Sequence, residues 1–110
     1  MTEKLFVYGT LAPGRPNEHI LKDVSGTWET AYVNGVLRDE GWGAEMGYPG
    51  IILDESAGEV QGFVFTSENL SDHWKRLDEF EGDAYLRVQA KVKLENGSLE
   101  NACIYVLREN

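Results

Sequence analysis

Cysteine is almost missing from this chain. Cys103 is the only one, so no internal disulfide can form. It sits in an apolar run near the C-terminus and reads as a packing residue. The two histidines, His19 and His73, have no ligand spacing and no thiolate pair beside them, which leaves metal chemistry little to build on. Basic charge is scarce as well. Ten Lys and Arg face 19 Asp and Glu, for a net charge of −9 and a pI of about 4.6. Nucleic acid and anionic membranes both need a basic surface, so neither is an expected partner. No run approaches the roughly 20 apolar residues that a membrane span requires. The opening MTEKLFVYGTL lacks a basic region followed by a long apolar run, which predicts no signal peptide and a cytoplasmic protein. There are no repeats, no low-complexity segment, no GxSxG and no phosphate loop, so neither serine-nucleophile nor nucleotide chemistry is suggested.

What is present suits one folded domain over residues 1–110. The chain is 42% hydrophobic and 11% aromatic, enough for a modest core. Lys4 to Tyr8 reads as a short buried strand stopped by Gly9. Ala12 to Pro16 is a loop, and Asn17 is placed to cap one helical turn through Leu21. Thr27 to Leu37 is a strand in which Gly35 marks a bulge or a close approach. Asp39 to Gly50 is a glycine-rich loop, followed by a brief strand from Ile51 to Leu53. Glu59 to Thr66 is a stronger strand, and Thr66 or Ser67 is set to cap a helix after it. In Ala84 to Leu94, Leu86, Val88, Ala90, Val92 and Leu94 face one way, and Tyr85, Arg87, Gln89, Lys91 and Lys93 the other. That alternation predicts a strand with one wet face, which puts Arg87 in solvent. The Asn96-Gly97 turn returns the chain into a partner strand from Asn101 to Arg108. About six short strands and one main helix, without steady βαβ alternation, favour a closed or nearly closed sheet.

The stretch Leu77-Asp78-Glu79-Phe80-Glu81-Gly82 packs three acids behind the apolar face of the predicted helix. At roughly 100° per residue, Leu70, Trp74, Leu77 and Glu81 fall on one stripe, i, i+4, i+7 and i+11. Glu79 falls opposite, and Asp78 lies at the margin. Two readings stay open. Either the helix ends early and Glu81 is solvated, or Gly82 is the C-cap glycine and Glu81 is carried inward. A buried carboxyl at a helix C-terminus is pushed up in pKa by desolvation and by the dipole. A Glu raised to roughly 6 or 7 is a competent proton shuttle at neutral pH. The second feature is Tyr8-Gly9-Thr10-Leu11 after the first strand. A glycine turn there either simply ends the strand or exposes N–H groups able to hold a carboxylate or an oxyanion.

These motifs together resemble a family. YGTL after the first strand, GYPG at Gly47 to Gly50, LDEFEG followed by Tyr85 and Arg87, and a late Tyr105 are similar, in order and over almost the whole chain, to the γ-glutamylcyclotransferase-like family. That family includes γ-glutamylamine cyclotransferases and AIG2-like proteins. The resemblance implies an α+β fold, a small mixed β-barrel of about six strands with one flanking helix. It implies a small-molecule γ-glutamyl substrate, 5-oxoproline and a free amine as products, and no cofactor or metal. It makes Glu81 the catalytic base and gives substrate-binding roles to Tyr8, Gly9, Thr10, Leu11, Tyr85 and Tyr105. The acidic, aromatic loop from Asp39 to Gly50 is expected to favour a cationic leaving amine. The competing expectations are a non-catalytic domain that keeps the γ-glutamyl pocket, and a purely structural domain with Glu81 in solvent. The sequence sets no oligomeric state.

Overall fold

The computed structural model describes residues 3–8, 21, 24–38, 50–82 and 85–107. Among these the strands are β1 (Glu3–Val7), β2 (Thr27–Arg38), β3 (Gly50–Leu53), β4 (Glu59–Ser67), β5 (Tyr85–Leu94) and β6 (Leu99–Leu107). A 3-10 turn, Leu70–Asp72, leads into helix α1 (Trp74–Glu81). The sheet order is β3-β2-β4-β1-β6-β5. Its ends meet because β2 also pairs with β5, through Ala31↔Leu94 and Tyr32↔Lys93. Strands β2, β4, β1, β6 and β5 thus close into a barrel. Strand β3 lies outside the ring, on the length of β2 from Gly35 to Arg38 that β5 has already left. β1 and β6 run parallel and every other pair is antiparallel, so the barrel is mixed, as the resemblance implies.

Period-two alternation sorts the core into two clusters. Phe6, Ala31, Val33, Val64, Val92 and Ile104, drawn from all five barrel strands, meet in one cluster that fills the interior. Ala31 and Ala102 suit its narrow bore. Leu5, Val7, Phe65, Tyr105 and Leu107 point the other way and are covered by Leu70 and Leu77. The helical segment is therefore a lid on one outer flank of the barrel, and it positions the acids of LDEFEG.

Two expectations are corrected. The helix does not run on from Ser67. Ser67 does act at the entry, its hydroxyl accepting the Asn69 N–H at 3.0 Å, but a separate 3-10 turn comes first and α1 starts only after His73. The predicted stripe survives the break, because Leu70 and Leu77 are both fully buried. Strand β5 also has no uniformly wet face. Val92 and Leu94 line the interior, but Tyr85 is buried on the opposite face and Arg87 is half-buried against α1. Alternation reports which residues share a face. It does not say that a helix will cover the polar one.

Two glycines mark close approaches. A Cβ on Gly35 would stand 2.9 Å from the Ile52 carbonyl oxygen, so β2 and β3 meet there without side-chain separation. A Cβ on Gly62 would stand 2.5 Å from the Val7 carbonyl oxygen and 2.6 Å from the Phe6 ring. Neither obstacle is the free end of a flexible chain. Gly62→Ala is expected to destabilise the fold by about 3 kcal/mol, a drop in melting temperature on the order of 15 °C. A thermal melt within a degree or two of wild type would show that the β1–β4 contact yields easily.

Candidate active site

Helix α1 ends where its chemistry begins. Gly82 takes φ +79°, and its N–H donates to the Asp78 carbonyl at 3.0 Å, the capping role predicted for it. The last turn is thereby kept through Glu81, which is only 9% exposed, while Glu79 faces solvent. Burial pushes the Glu81 carboxyl up to about 7. The group accordingly exchanges its proton near neutrality, where an ordinary glutamate is ionised throughout.

Tyr8 follows β1 and turns its ring into the barrel, stacked on Phe6 with centroids 6.4 Å apart. Its hydroxyl donates to the Tyr105 carbonyl at 2.7 Å and accepts the Ile51 N–H at 3.1 Å. The first partner lies just past the end of the β1–β6 pairing at Ile104, and the second is on the outer strand β3. One phenol thus bridges the gap that β3 leaves by standing outside the ring. Burial raises the Tyr8 pKa far beyond the usual phenol range, and the charges of Glu81 and Tyr85 add to the effect. Tyr8 is a neutral latch, electrostatically coupled to Glu81.

Tyr105 faces away from the interior. Its own hydroxyl donates to Asp78 Oδ1 at 2.6 Å, and burial followed by that bond raises its pKa. Arg87 Nε lies 3.6 Å from the same carboxylate oxygen, and the guanidinium sits over the Trp74 ring, 4.4 Å from its centroid. Trp74 Nε1 donates to Glu3 at 3.0 Å. Arg87 Nη1 is buried without a hydrogen-bond partner. A cleft of about 630 Å³ opens along this flank, bounded by Asp78, Glu79, Gly82, Tyr85, Arg87 and Tyr105.

The structure therefore places Glu81, Tyr8, Tyr85 and Tyr105 around one end of the barrel. Gly9, Thr10 and Leu11 lie outside the described residues, as do residues 11–20 and 39–49, which include the predicted Asn17 turn and all of the acidic loop except Gly50. Sequence reasoning missed Asp78, whose marginal place on the wheel marked it neither as inward nor as outward. Among the described residues no His, Cys, Asp and Glu cluster is arranged to hold a metal ion, and no helix is long and apolar enough to cross a membrane.

The described residues thus form a closed mixed barrel with a capped, buried glutamate beside a tyrosine latch. Residues 5–110 match the family model described as "Gamma-glutamyl cyclotransferase, AIG2-like", and the chain belongs to that family. Over 77 residues it is 35% identical to the γ-L-glutamyl-butirosin B γ-glutamyl cyclotransferase of Niallia circulans, covering 70% of this chain and 44% of that protein. Among solved structures it resembles YkqA from Bacillus subtilis, with a TM-score of 0.74 and 28% identity over 98% of this chain and 36% of the other. A mouse AIG2-like protein shares the fold, with a TM-score of 0.69, 22% identity, and coverage of 96% and 76%. The chain spans less than half the length of its Niallia relative and of YkqA.

Proposed function

We propose that this protein is a γ-glutamyl cyclotransferase that converts a γ-glutamyl amine or amino acid to 5-oxoproline and the free amine. The observation that carries the reading is Glu81, a carboxyl held in the fold near its own titration point, beside Tyr8 at the start of the YGTL segment. Family membership and the named relative support it.

In this reading Glu81 takes a proton from the substrate's α-ammonium group. The freed amine attacks its own γ-carbonyl carbon and closes a five-membered ring. The resulting oxyanion is assigned to N–H groups of the Gly9 to Leu11 segment. Collapse breaks the γ-amide bond as protonated Glu81 returns its proton to the leaving nitrogen. Net, the α-nitrogen sheds two protons, one through Glu81 and one to solvent, and the departing amine gains two, one from Glu81 and one from solvent, so the reaction balances without a co-reactant. Nucleophile and electrophile belong to one molecule, and the protein's work is to fold the substrate and move protons. Tyr85 and Tyr105 are assigned to the substrate-facing wall.

The test is release of 5-oxoproline from a panel containing γ-glutamyl-lysine, γ-glutamyl-alanine and simple γ-glutamyl amines. Turnover of at least one member, rising with pH to a plateau above about 7 as Glu81 ionises, is the expected result. Tight binding of the panel without product would leave a ligand-binding domain instead. The acidic composition of residues 39–50 predicts faster turnover of the lysine conjugate, and equal rates for lysine and alanine would remove that preference.

A further inference from the structure

Asp78 makes three contacts within one turn of Glu81. Its Oδ1 accepts the Tyr105 hydroxyl hydrogen and lies beside Arg87 Nε. Its carbonyl accepts the Gly82 N–H. These matter because α1 has only eight residues, too few to persist as a helix without tertiary support. Leu77 anchors the apolar side of its last turns. On the polar side the short hydrogen bond from Tyr105 to a carboxylate is of the stronger, charge-assisted kind. Arg87, stacked on Trp74, holds the same carboxylate from β5.

We propose that Asp78 is a positioning residue, tying the last turn of α1 to β6 through the Tyr105 hydroxyl and to β5 through Arg87, and so holding Glu81 in its buried place. The inference rests on the reading of Glu81 as the proton shuttle. Tyr105 is the hub of the arrangement. Its backbone carbonyl holds the Tyr8 latch inside the barrel, and its ring hydroxyl holds Asp78 outside. The outer strand and the turn carrying Glu81 are thus joined through a single residue of β6.

The Glu81 charge acts on two phenols, Tyr8 from the end of β1 and Tyr105 from β6, and Tyr85 from β5 acts in turn on Tyr8. Asp78 and Arg87 stand one turn back, and each offsets the other's charge. Cutting the tether admits water to Glu81. The loss of desolvation then lowers its titration midpoint from about 7 toward the ordinary 4.5.

The experiment follows the Glu81 carboxyl by carbon-13 NMR titration in the full chain, beside kcat and KM on whichever of γ-glutamyl-lysine or γ-glutamyl-alanine is turned over. Asp78→Ala and Tyr105→Phe are each expected to lower the Glu81 midpoint by about one pH unit or more. Each should reduce kcat roughly 10-fold, and Asp78→Ala should do so with little change in KM. Asp78→Asn keeps a carbonyl oxygen for the Tyr105 hydrogen and is expected to recover most of both losses. An unmoved midpoint in Asp78→Ala and Tyr105→Phe overturns the proposal, even if both variants melt earlier. Should Asp78→Ala fail to fold, Tyr105→Phe keeps the ring packed and decides alone. Because the titration needs no turnover, the two readings separate. A lowered midpoint with an active Glu81→Gln supports the tether and removes the base, whereas an inactive Glu81→Gln with an unmoved midpoint does the reverse.

Discussion

Glu81→Gln is expected to abolish turnover, by roughly 10³-fold or more for loss of a general acid and base, while making the fold more stable above neutral pH. The sign follows from linkage. Burial raises the folded-state pKa to about 7 from an ordinary 4.5. Folding therefore favours the protonated form. The associated stability is fully present below about pH 4.5 and is lost as pH climbs through 7. The ionised carboxylate then weakens the fold by roughly 3 kcal/mol. Glutamine carries no charge to desolvate, so the variant escapes the loss. Urea titrations at pH 4, 6 and 8 should show wild type and variant close together at the acid end and separating steadily, with the variant ahead at pH 8. Parallel stability profiles would mean that the carboxyl is hydrated in solution, and an active variant would mean that the proton moves elsewhere. Glu79→Gln, on the exposed side of the same turn, should change neither.

Tyr8→Phe carries the next largest effect. The ring stays on Phe6, but the hydroxyl that joins Ile51 to Tyr105 is gone. One backbone N–H and one backbone carbonyl then lose their partner, at a cost of about 2–4 kcal/mol for the pair. The weakening should be local. Amide exchange at Ile51 should accelerate well beyond that of interior residues such as Val64, because β2 is then the one strand that hydrogen-bonds to β3 among the described residues. Turnover should fall because the wall beside Glu81 loosens. The dependence of rate on pH should keep a single acid limb, since the Tyr8 phenol is neutral throughout the working range. Unchanged exchange at Ile51, with wild-type stability, would show that the hydroxyl bridges nothing that matters.

Short-range chemistry was legible from the residues alone. Apolar runs bounded by turn residues, with clean alternation in β5, placed the strands to within a residue or two, because a strand must bury at least one row of its side chains. Asn96-Gly97 marked the β5–β6 hairpin through the left-handed backbone that Gly97 adopts, with φ +89°. The wheel put Glu81 on the stripe of Leu70 and Leu77, and Gly82 explained how the helix reaches it. Arg87 was misread because the preceding helix folds back over a face of β5 that looks polar in isolation, setting Trp74 and Asp78 against the guanidinium.

By itself, then, the sequence determined the acidic charge, the order of strands and helix, and which acid of LDEFEG shares the apolar stripe. Each of these follows from residues within a turn or a strand of one another. The fold decided that the helix reaches far enough to bury that acid. Closure through Ala31 and Leu94, the bridge from Tyr8 to Ile51 and Tyr105, and the grip of Tyr105 and Arg87 on Asp78 were decided only by the tertiary structure. They join positions on different elements, from 9 residues apart for Arg87 and Asp78 to 97 for Tyr8 and Tyr105. No local periodicity encodes such partners, because they are set by how a closed barrel brings its edges and its helix together.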